Sequence, residues 1–153
     1  MENRILLQQP EFSHPNHLSM SNIIAIVGRP NVGKSTLFNR LTGERDAIVD
    51  PTSGVTRDRH YGRSDWNGTA FSVIDTGGVV TGSDDVFEEA IIRQVELAMD
   101  EADVILFMVD AKEGLSPLDE DVAHMIRRSP KKSFLVANKV DSGGRSADVA
   151  EFY

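Results

Sequence analysis

A glycine-rich segment, Gly28–Ser35, lies between a run of apolar residues and a stretch with helical periodicity. Its sequence, GRPNVGKS, fits the pattern G-x-x-x-x-G-K-[ST]. The preceding run, Ile23–Val27, is continuously apolar, which is typical of a strand buried on both faces. Residues 34–42 repeat their apolar positions with the period of a helix. Because the pattern requires a strand before it and a helix after it, the segment predicts a phosphate-binding loop.

The chemistry of such a loop indicates a nucleoside triphosphate with Mg²⁺. Backbone N–H groups and the helix N-terminus surround the phosphates, where the helix dipole favours negative charge. Lys34 would neutralise the β- and γ-phosphates, and Ser35 would ligate Mg²⁺. The nucleotide-binding residues expected from this segment are Asn31, Val32, Gly33, Lys34, Ser35 and Thr36.

The rest of the chain alternates between strand and helix patterns. Asn67-Gly68 is a strong hairpin signal and joins two predicted strands, His60–Trp66 and Thr69–Asp75. Ser116-Pro117 is typical of a helix start, with a capping serine followed by proline in the first turn. A further helix is predicted over residues 85–100, and strands over residues 104–109 and 133–137.

The resulting order, β-α-β-β-α-β-α-β, predicts an α/β domain with three layers. Its sheet would be mostly parallel, with one antiparallel edge strand, and ligands would bind at the carboxyl ends of the strands. Residues 1–21 are polar and aperiodic, so we expect a disordered leader. Residues 22–153 are expected to form a domain that is incomplete at its C-terminus, because a doubly wound sheet would continue with another helix and strand.

Composition narrows the class of protein and its partners. The 153-residue chain contains no cysteine, which excludes disulfides and thiolate metal sites. Its net charge of -8 disfavours direct nucleic-acid binding by this stretch. No apolar run approaches the roughly 18 residues that a membrane span needs, so no membrane partner is expected. We therefore expect a soluble, cytoplasmic protein.

A second motif, Asp75-Thr76-Gly77-Gly78, begins at the end of a predicted strand. Asp75 would hold Mg²⁺, through a water molecule, and the Gly78 N–H would bind the γ-phosphate. In the loop before the hairpin, Thr56 could ligate Mg²⁺ and sense the γ-phosphate. For the neighbouring Arg57, pairing with Asp58 or a surface role is preferred to that of a built-in arginine finger.

A third motif, Asn138-Lys139-Val140-Asp141, ends the last predicted strand and indicates guanine. Guanine presents N1–H and N2–H₂ donors that one carboxylate, Asp141, can accept together. Adenine would leave that carboxylate unpaired, a mismatch that discriminates by roughly 10⁴. Asn138 would hold the N7 edge of the base and brace the phosphate loop, and the stem of Lys139 would cover the base.

One expected catalytic group is missing from the sequence. Some GTPases place a glutamine directly after D-x-x-G to orient the attacking water, whereas this chain has Val79. Asn31 could compensate by ligating a K⁺ ion that bridges the phosphates in place of an arginine finger. The alternative is that Asn31 only stabilises the loop. The catalytic candidates are therefore Lys34, Thr56, Gly78 and Asn31.

Several segments together resemble the first GTPase domain of the EngA/Der family. They are GRPNVGKSTLF at 28–38, RDA at 45–47, GVTRDR at 54–59, DTGG at 75–78, EADVILFMV at 101–109 and LVANK at 135–139. The resemblance implies a Ras-like P-loop fold, GTP hydrolysis activated by K⁺, and a role in assembling the large ribosomal subunit. It also implies that Thr56 is the switch threonine, with Ser35 and Asp75 around Mg²⁺.

The chain also departs from the family's pattern. Ser53 stands where the family usually has proline before the switch glycine. The family's last guanine-contacting loop, its second GTPase domain and its KH-like domain would lie beyond Tyr153. Two alternatives to a GTPase therefore stay open: a nucleotide-dependent binding switch and a fragment with negligible hydrolysis.

Overall fold

The computed structural model describes residues 22–43, 60–77, 84–140 and 150–152. The expected leader over residues 1–21 lies outside this part of the chain. The elements are β1 (Ile23–Val27), α1 (Lys34–Thr42), β2 (His60–Trp66), β3 (Thr69–Asp75), α2 (Asp84–Glu101), β4 (Val104–Asp110), α3 (Pro117–Arg128) and β5 (Lys132–Asn138). This is the order of strands and helices predicted from the sequence.

The five strands form one sheet in the order β2-β3-β1-β4-β5. Strand β1 lies in the centre and pairs in parallel with β3 and β4, and β5 is parallel to β4. Strand β2 is antiparallel to β3 because the two form a hairpin, whose turn residues Asn67 and Gly68 have φ values of 49° and 78°. The predicted mostly parallel sheet with one antiparallel edge strand is therefore confirmed.

Alternate residues of the central strand face opposite layers of helices. Ala25 and Val27 belong to a core shared with α2 and α3, whereas Ile26 packs with Phe38 of α1. All four side chains are buried. A strand covered on both faces must be apolar throughout, which explains the continuous run in the sequence. The fold has the three layers that were predicted.

Helix α3 begins with a capping box. The hydroxyl of Ser116 accepts a hydrogen bond from the Asp119 backbone N–H at 3.2 Å, and the Asp119 carboxylate accepts from the Ser116 N–H at 3.0 Å. Pro117 occupies the first turn, where its missing N–H has no cost. The predicted start of this helix is confirmed, with aspartate in the place where glutamate or glutamine is more usual.

Polar residues collect at the carboxyl edge of the sheet. Strand β3 ends at Asp75, and the last paired residues of β4 and β5 are Asp110 and Asn138, which lie opposite each other. This pairing extends both strands by one residue beyond the predicted ends. Because β1 also ends here, immediately before Gly28, the phosphate loop and the other two motifs meet at one edge. Among the helices described, none is long and apolar enough to cross a membrane.

Candidate nucleotide-binding site

A cleft of about 430 Å³ opens at the carboxyl edge of the sheet. The phosphate loop forms one wall, the end of β3 and helix α2 form another, and the segment after β5 closes it. The lining residues are Gly28, Pro30, Asn31, Gly33, Lys34, Ser35, Thr36, Thr76, Gly77, Ile91, Gln94 and Lys139.

Two glycines allow the phosphate loop to turn while it lies close to the ends of β4 and β5. Gly28 has φ 149°, and a Cβ there would collide with the backbone carbonyl of Met108. Gly33 has φ 106°, and a Cβ there would collide with the side-chain amide of Asn138. Both conformations disfavour other residues. The loop therefore packs against β4 and β5 before α1 begins at Lys34, whose turn presents free N–H groups to the cleft.

Lys34 is the principal cation of the cleft. The residue is 6% exposed, and its Nζ donates a hydrogen bond of 2.7 Å to the backbone carbonyl of Arg29. Burial lowers the pKa of Lys34 to about 8, although the nearby Asp75 carboxylate opposes the shift. A bound polyphosphate would favour the charged ammonium group again, because opposite charges stabilise each other strongly where water is excluded.

Ser35 and Asp75 provide two oxygen donors beside this lysine. The Ser35 hydroxyl donates to Asp75 Oδ2 at 3.1 Å, and the Gly77 N–H donates to Asp75 Oδ1 at 2.9 Å. Asp75 is completely buried. Within residues 22–43, 60–77, 84–140 and 150–152, no three His, Cys, Asp or Glu side chains cluster as metal ligands. One hydroxyl and one carboxylate fit Mg²⁺, which prefers oxygen ligands and usually takes the others from substrate phosphates and water.

The end of β5 holds the other side of the phosphate loop. The Asn138 side-chain amide donates to the Val32 carbonyl at 2.9 Å, and the Lys139 ammonium donates to the Asn31 carbonyl at 2.7 Å. Lys139 has a left-handed backbone, with φ 60°, which turns its side chain back over the loop. The predicted brace from Asn138 to the phosphate loop is present in the structure.

Asp110 supports Lys139 and was not predicted. Its Oδ2 lies 2.6 Å from the Lys139 Nζ, while its Oδ1 accepts hydrogen bonds from the N–H groups of Lys112 and Glu113. Burial alone would raise the pKa of Asp110, but Lys139 and the two N–H donors hold it below its ordinary value. The sequence offered one signal, because Asp110 follows a buried strand just as Asp75 does.

A second unpredicted network lies under the phosphate loop. The Arg29 side chain is 16% exposed, and its Nε donates to Asp119 at 3.2 Å while its Nη1 donates to Glu113 at 2.7 Å. Burial would lower the pKa of Arg29, but the hydrogen bonds and charges of the two carboxylates raise it. The arginine is therefore a permanent cation that points away from the cleft.

The structure brings most of the predicted site residues together. Asn31, Gly33, Lys34, Ser35, Thr36 and Lys139 line the cleft. Val32 is fully buried, so only its backbone can contact a ligand. Asp75 and Asn138 lie behind the lining residues and hydrogen-bond to Ser35 and to the Val32 carbonyl. Thr56, Gly78, Val79 and Asp141 lie outside the described residues.

The single mostly parallel sheet between two layers of helices and the strand-loop-helix cleft together define a P-loop nucleoside triphosphatase domain of the Ras-like type. The chain belongs to the family described as 50S ribosome-binding GTPase, whose model matches residues 23–139.

Individual relatives support the same family. The chain is 63% identical over 134 residues to GTPase Der of Flavobacterium psychrophilum, covering 88% of this chain and 31% of that protein. It is 65% identical over 133 residues to GTPase Der of Flavobacterium johnsoniae, covering 87% and 30% respectively. These relatives confirm the resemblance to the EngA/Der family. The chain thus spans about a third of their length.

A solved structure shows the same fold. The crystal structure of Era in complex with MgGDPNP and a segment of 16S ribosomal RNA has a TM-score of 0.64 and 38% sequence identity. The match covers 85% of this chain and 44% of the Era chain.

Proposed function

We propose that this chain binds GTP together with Mg²⁺ and hydrolyses it to GDP. The observation that carries the proposal is the convergence of the buried Lys34, the Ser35–Asp75 pair and the Asn138-Lys139 segment on one cleft. These groups come from different elements that meet at one edge of the sheet, and each suits a different part of a magnesium nucleotide. The relatives named GTPase Der and the Era structure with MgGDPNP support the same ligand.

The phosphates would occupy the turn before α1. Lys34 would exchange the Arg29 carbonyl for phosphate oxygens, and the N–H groups of Gly33 to Thr36 would donate to the phosphates. Ser35 and Asp75 would hold Mg²⁺, whose charge stabilises the phosphate oxygens during transfer. Gly78 and Thr56 are proposed to contact the γ-phosphate.

The base would lie between the phosphate loop and the segment after β5. The Asn138 amide has two N–H donors, and its bond to Val32 uses one, so the other can reach N7 of the base. Asp110 and the Asn31 carbonyl position the Lys139 ammonium, so that its apolar stem can cover the base. Asp141 is proposed to accept N1–H and N2–H₂ of guanine.

For hydrolysis we propose stimulation by K⁺. Val79 cannot orient water, so another group must stabilise the developing charge. Asn31 is exposed at the rim of the cleft with φ 65°, and its side-chain oxygen is the proposed K⁺ ligand. The alternative role, stabilising the loop, predicts that hydrolysis does not depend on which monovalent cation is present.

For a protein as long as the GTPase Der relatives, we propose a cytoplasmic role in assembly of the large ribosomal subunit. The family description and the relatives' names support this role. Residues 22–153 would then be the N-terminal part of the first GTPase domain of such a protein, preceded by a leader over residues 1–21. With a net charge of -8, this chain is not expected to bind ribosomal RNA directly.

Calorimetric titration with GDP, GTP and ATP, each with Mg²⁺, tests the binding proposal. GDP and GTP should bind, and ATP should bind roughly 10⁴-fold more weakly, because adenine would leave a buried polar group unpaired. Binding without any release of phosphate in single-turnover assays would favour the switch alternative. Binding of neither guanine nucleotide by a folded sample would favour the inactive fragment. Equal hydrolysis rates in KCl and NaCl would exclude the K⁺ role.

A further inference from the structure

Arg29 lies inside the phosphate loop, yet its side chain is bound outside it. Its guanidinium contacts Asp119 in the first turn of α3 and Glu113 in the segment after β4. Its backbone carbonyl, in the same residue, accepts the hydrogen bond from Lys34. Arg29 therefore connects Lys34, the buried lysine of the cleft, to an anchor on another helix.

The anchor is firmer than an ordinary surface ion pair. Asp119 is fully buried, and its Oδ2 also accepts hydrogen bonds from the backbone N–H and the hydroxyl of Ser116. Among the described residues, none bonds the other oxygen, Oδ1. A buried carboxylate with one unsatisfied oxygen depends strongly on the cation that faces it. Glu113 differs, since its side chain is 60% exposed and its contact contributes little.

The loop needs such an anchor because its own sequence does not define its shape. Gly28 and Gly33 flank it with positive backbone angles that only glycine adopts readily, and glycine has the largest conformational entropy to lose. On the β5 side, Asn138 and Lys139 hold the carbonyls of Val32 and Asn31. On the α3 side, the side chain of Arg29 makes the corresponding contact.

We propose that Arg29 is a positioning residue for nucleotide binding: its ion pair with Asp119 holds the phosphate loop open in the shape that receives the phosphates. This inference rests on the proposed function. Arg29 is the first variable position of the loop. In this proposal it raises the affinity for the phosphates although its side chain does not contact the ligand. Loss of the pair should let the loop collapse onto Lys34 and speed release of the nucleotide.

The test uses the 153-residue chain and a fluorescent GDP analogue in stopped flow. Arg29→Met keeps the length and apolar stem but removes the charge, and it should raise the dissociation rate and Kd of GDP about tenfold. Asp119→Asn should do the same, and the double variant should show no further loss, because both changes remove one interaction. Arg29→Lys keeps a positive charge opposite Asp119, so its GDP affinity should fall only about threefold. This variant takes the place of Arg29→Met in the test if Arg29→Met does not fold.

Asp121→Asn is the control, because it makes the same change as Asp119→Asn on the exposed face of α3 and leaves the ion pair in place. GDP affinity of this variant should stay within twofold of wild type. Additive effects of the two ion-pair variants, wild-type affinity in Arg29→Met and Arg29→Lys, or an equal loss in Asp121→Asn would each overturn the inference. If the wild-type chain itself does not bind GDP, the proposed function is overturned together with this inference. If the wild type binds GDP and the ion-pair variants bind equally well, only this inference is overturned.

Discussion

The side-chain amide of Asn138 donates a 2.9 Å hydrogen bond to the Val32 carbonyl, across 106 positions of the chain. The same amide lies where a Cβ on Gly33 would have to go. The last strand of the sheet therefore fixes the phosphate loop in two ways, by a hydrogen bond and by close packing. The sequence predicts the brace from Asn138 to the phosphate loop, and the structure adds its close packing against Gly33.

Substitution of Asn138 should lower both stability and nucleotide affinity. Asn138→Ala leaves the Val32 carbonyl unpaired next to a void, so we expect a loss of about 1–2 kcal/mol in the free energy of unfolding. Affinity for GDP should fall at least tenfold by calorimetry, because the brace and the proposed contact with N7 of the base would be lost together. Asn39→Ala, on the exposed side of α1, is the matched control and should change neither quantity measurably. An equal effect of both variants would contradict this account of the brace.

Gly33→Ala tests the close packing directly. Its Cβ would collide with the Asn138 amide at a backbone angle of 106°, so we expect about 2–4 kcal/mol of destabilisation and loss of measurable GDP binding. Gly68→Ala is the control, because Gly68 also has positive φ but nothing lies near its Cβ position. That variant should cost only about 1 kcal/mol and leave GDP affinity unchanged. Chemical denaturation and titration measure both; strong GDP binding by Gly33→Ala would refute the packing argument.

The fold was readable from the sequence because each element carries a local signal. A parallel strand covered on both faces has to be apolar throughout, and Ile23–Val27 is. Asn67-Gly68 and Ser116-Pro117 specify a turn and a helix start through their own backbone preferences. Asp75 and Asn138 were found because they end strands of a sheet whose carboxyl ends meet.

The ion pairs beneath the site were not readable in this way. Arg29 and Asp119 are 90 positions apart, and no periodicity relates them. Asp110 carried the same signal as Asp75, at the end of a buried strand, but its partner Lys139 depends on how β5 aligns with β4. Which long polar side chains pair depends on distances in the folded protein. Local sequence patterns carry no information about those distances.

Asp110→Asn should weaken nucleotide binding through Lys139. Asparagine can still accept from the N–H groups of Lys112 and Glu113, so the turn after β4 should persist. Lys139 would lose its ion pair, and because that lysine is 40% exposed we expect only a modest loss of GDP affinity, about threefold to tenfold. Asp121→Asn, on the exposed face of α3, removes the same charge and should have no effect. If both variants behave alike in titrations at two salt concentrations, net charge rather than this pair is responsible.

The pH dependence of binding should follow Lys34. Its pKa in the empty site is about 8, and phosphates bind its charged form, so affinity should fall as the pH rises through this value. Between about pH 7 and about pH 9 the charged fraction drops roughly tenfold, and GDP affinity should drop by the same factor. Lys34→Arg keeps its charge over this range, so its affinity should be lower than wild type at pH 7 but nearly independent of pH. Dividing the GDP affinity of wild type by that of Lys34→Arg at each pH removes the effect of any titration of the nucleotide itself.

The stability of the empty protein should change in the opposite direction over a similar range. The unfolded chain, in which Lys34 has the ordinary lysine pKa of 10.5, binds more protons than the folded chain between that pH and about 8. Stability therefore rises with pH in this window, because the folded state no longer has to bury a charged lysine. Urea denaturation of wild type and Lys34→Arg side by side measures the difference, which should grow in favour of wild type above about pH 8. A difference that is constant with pH would show that Lys34 is already an ordinary, fully charged lysine in the empty cleft.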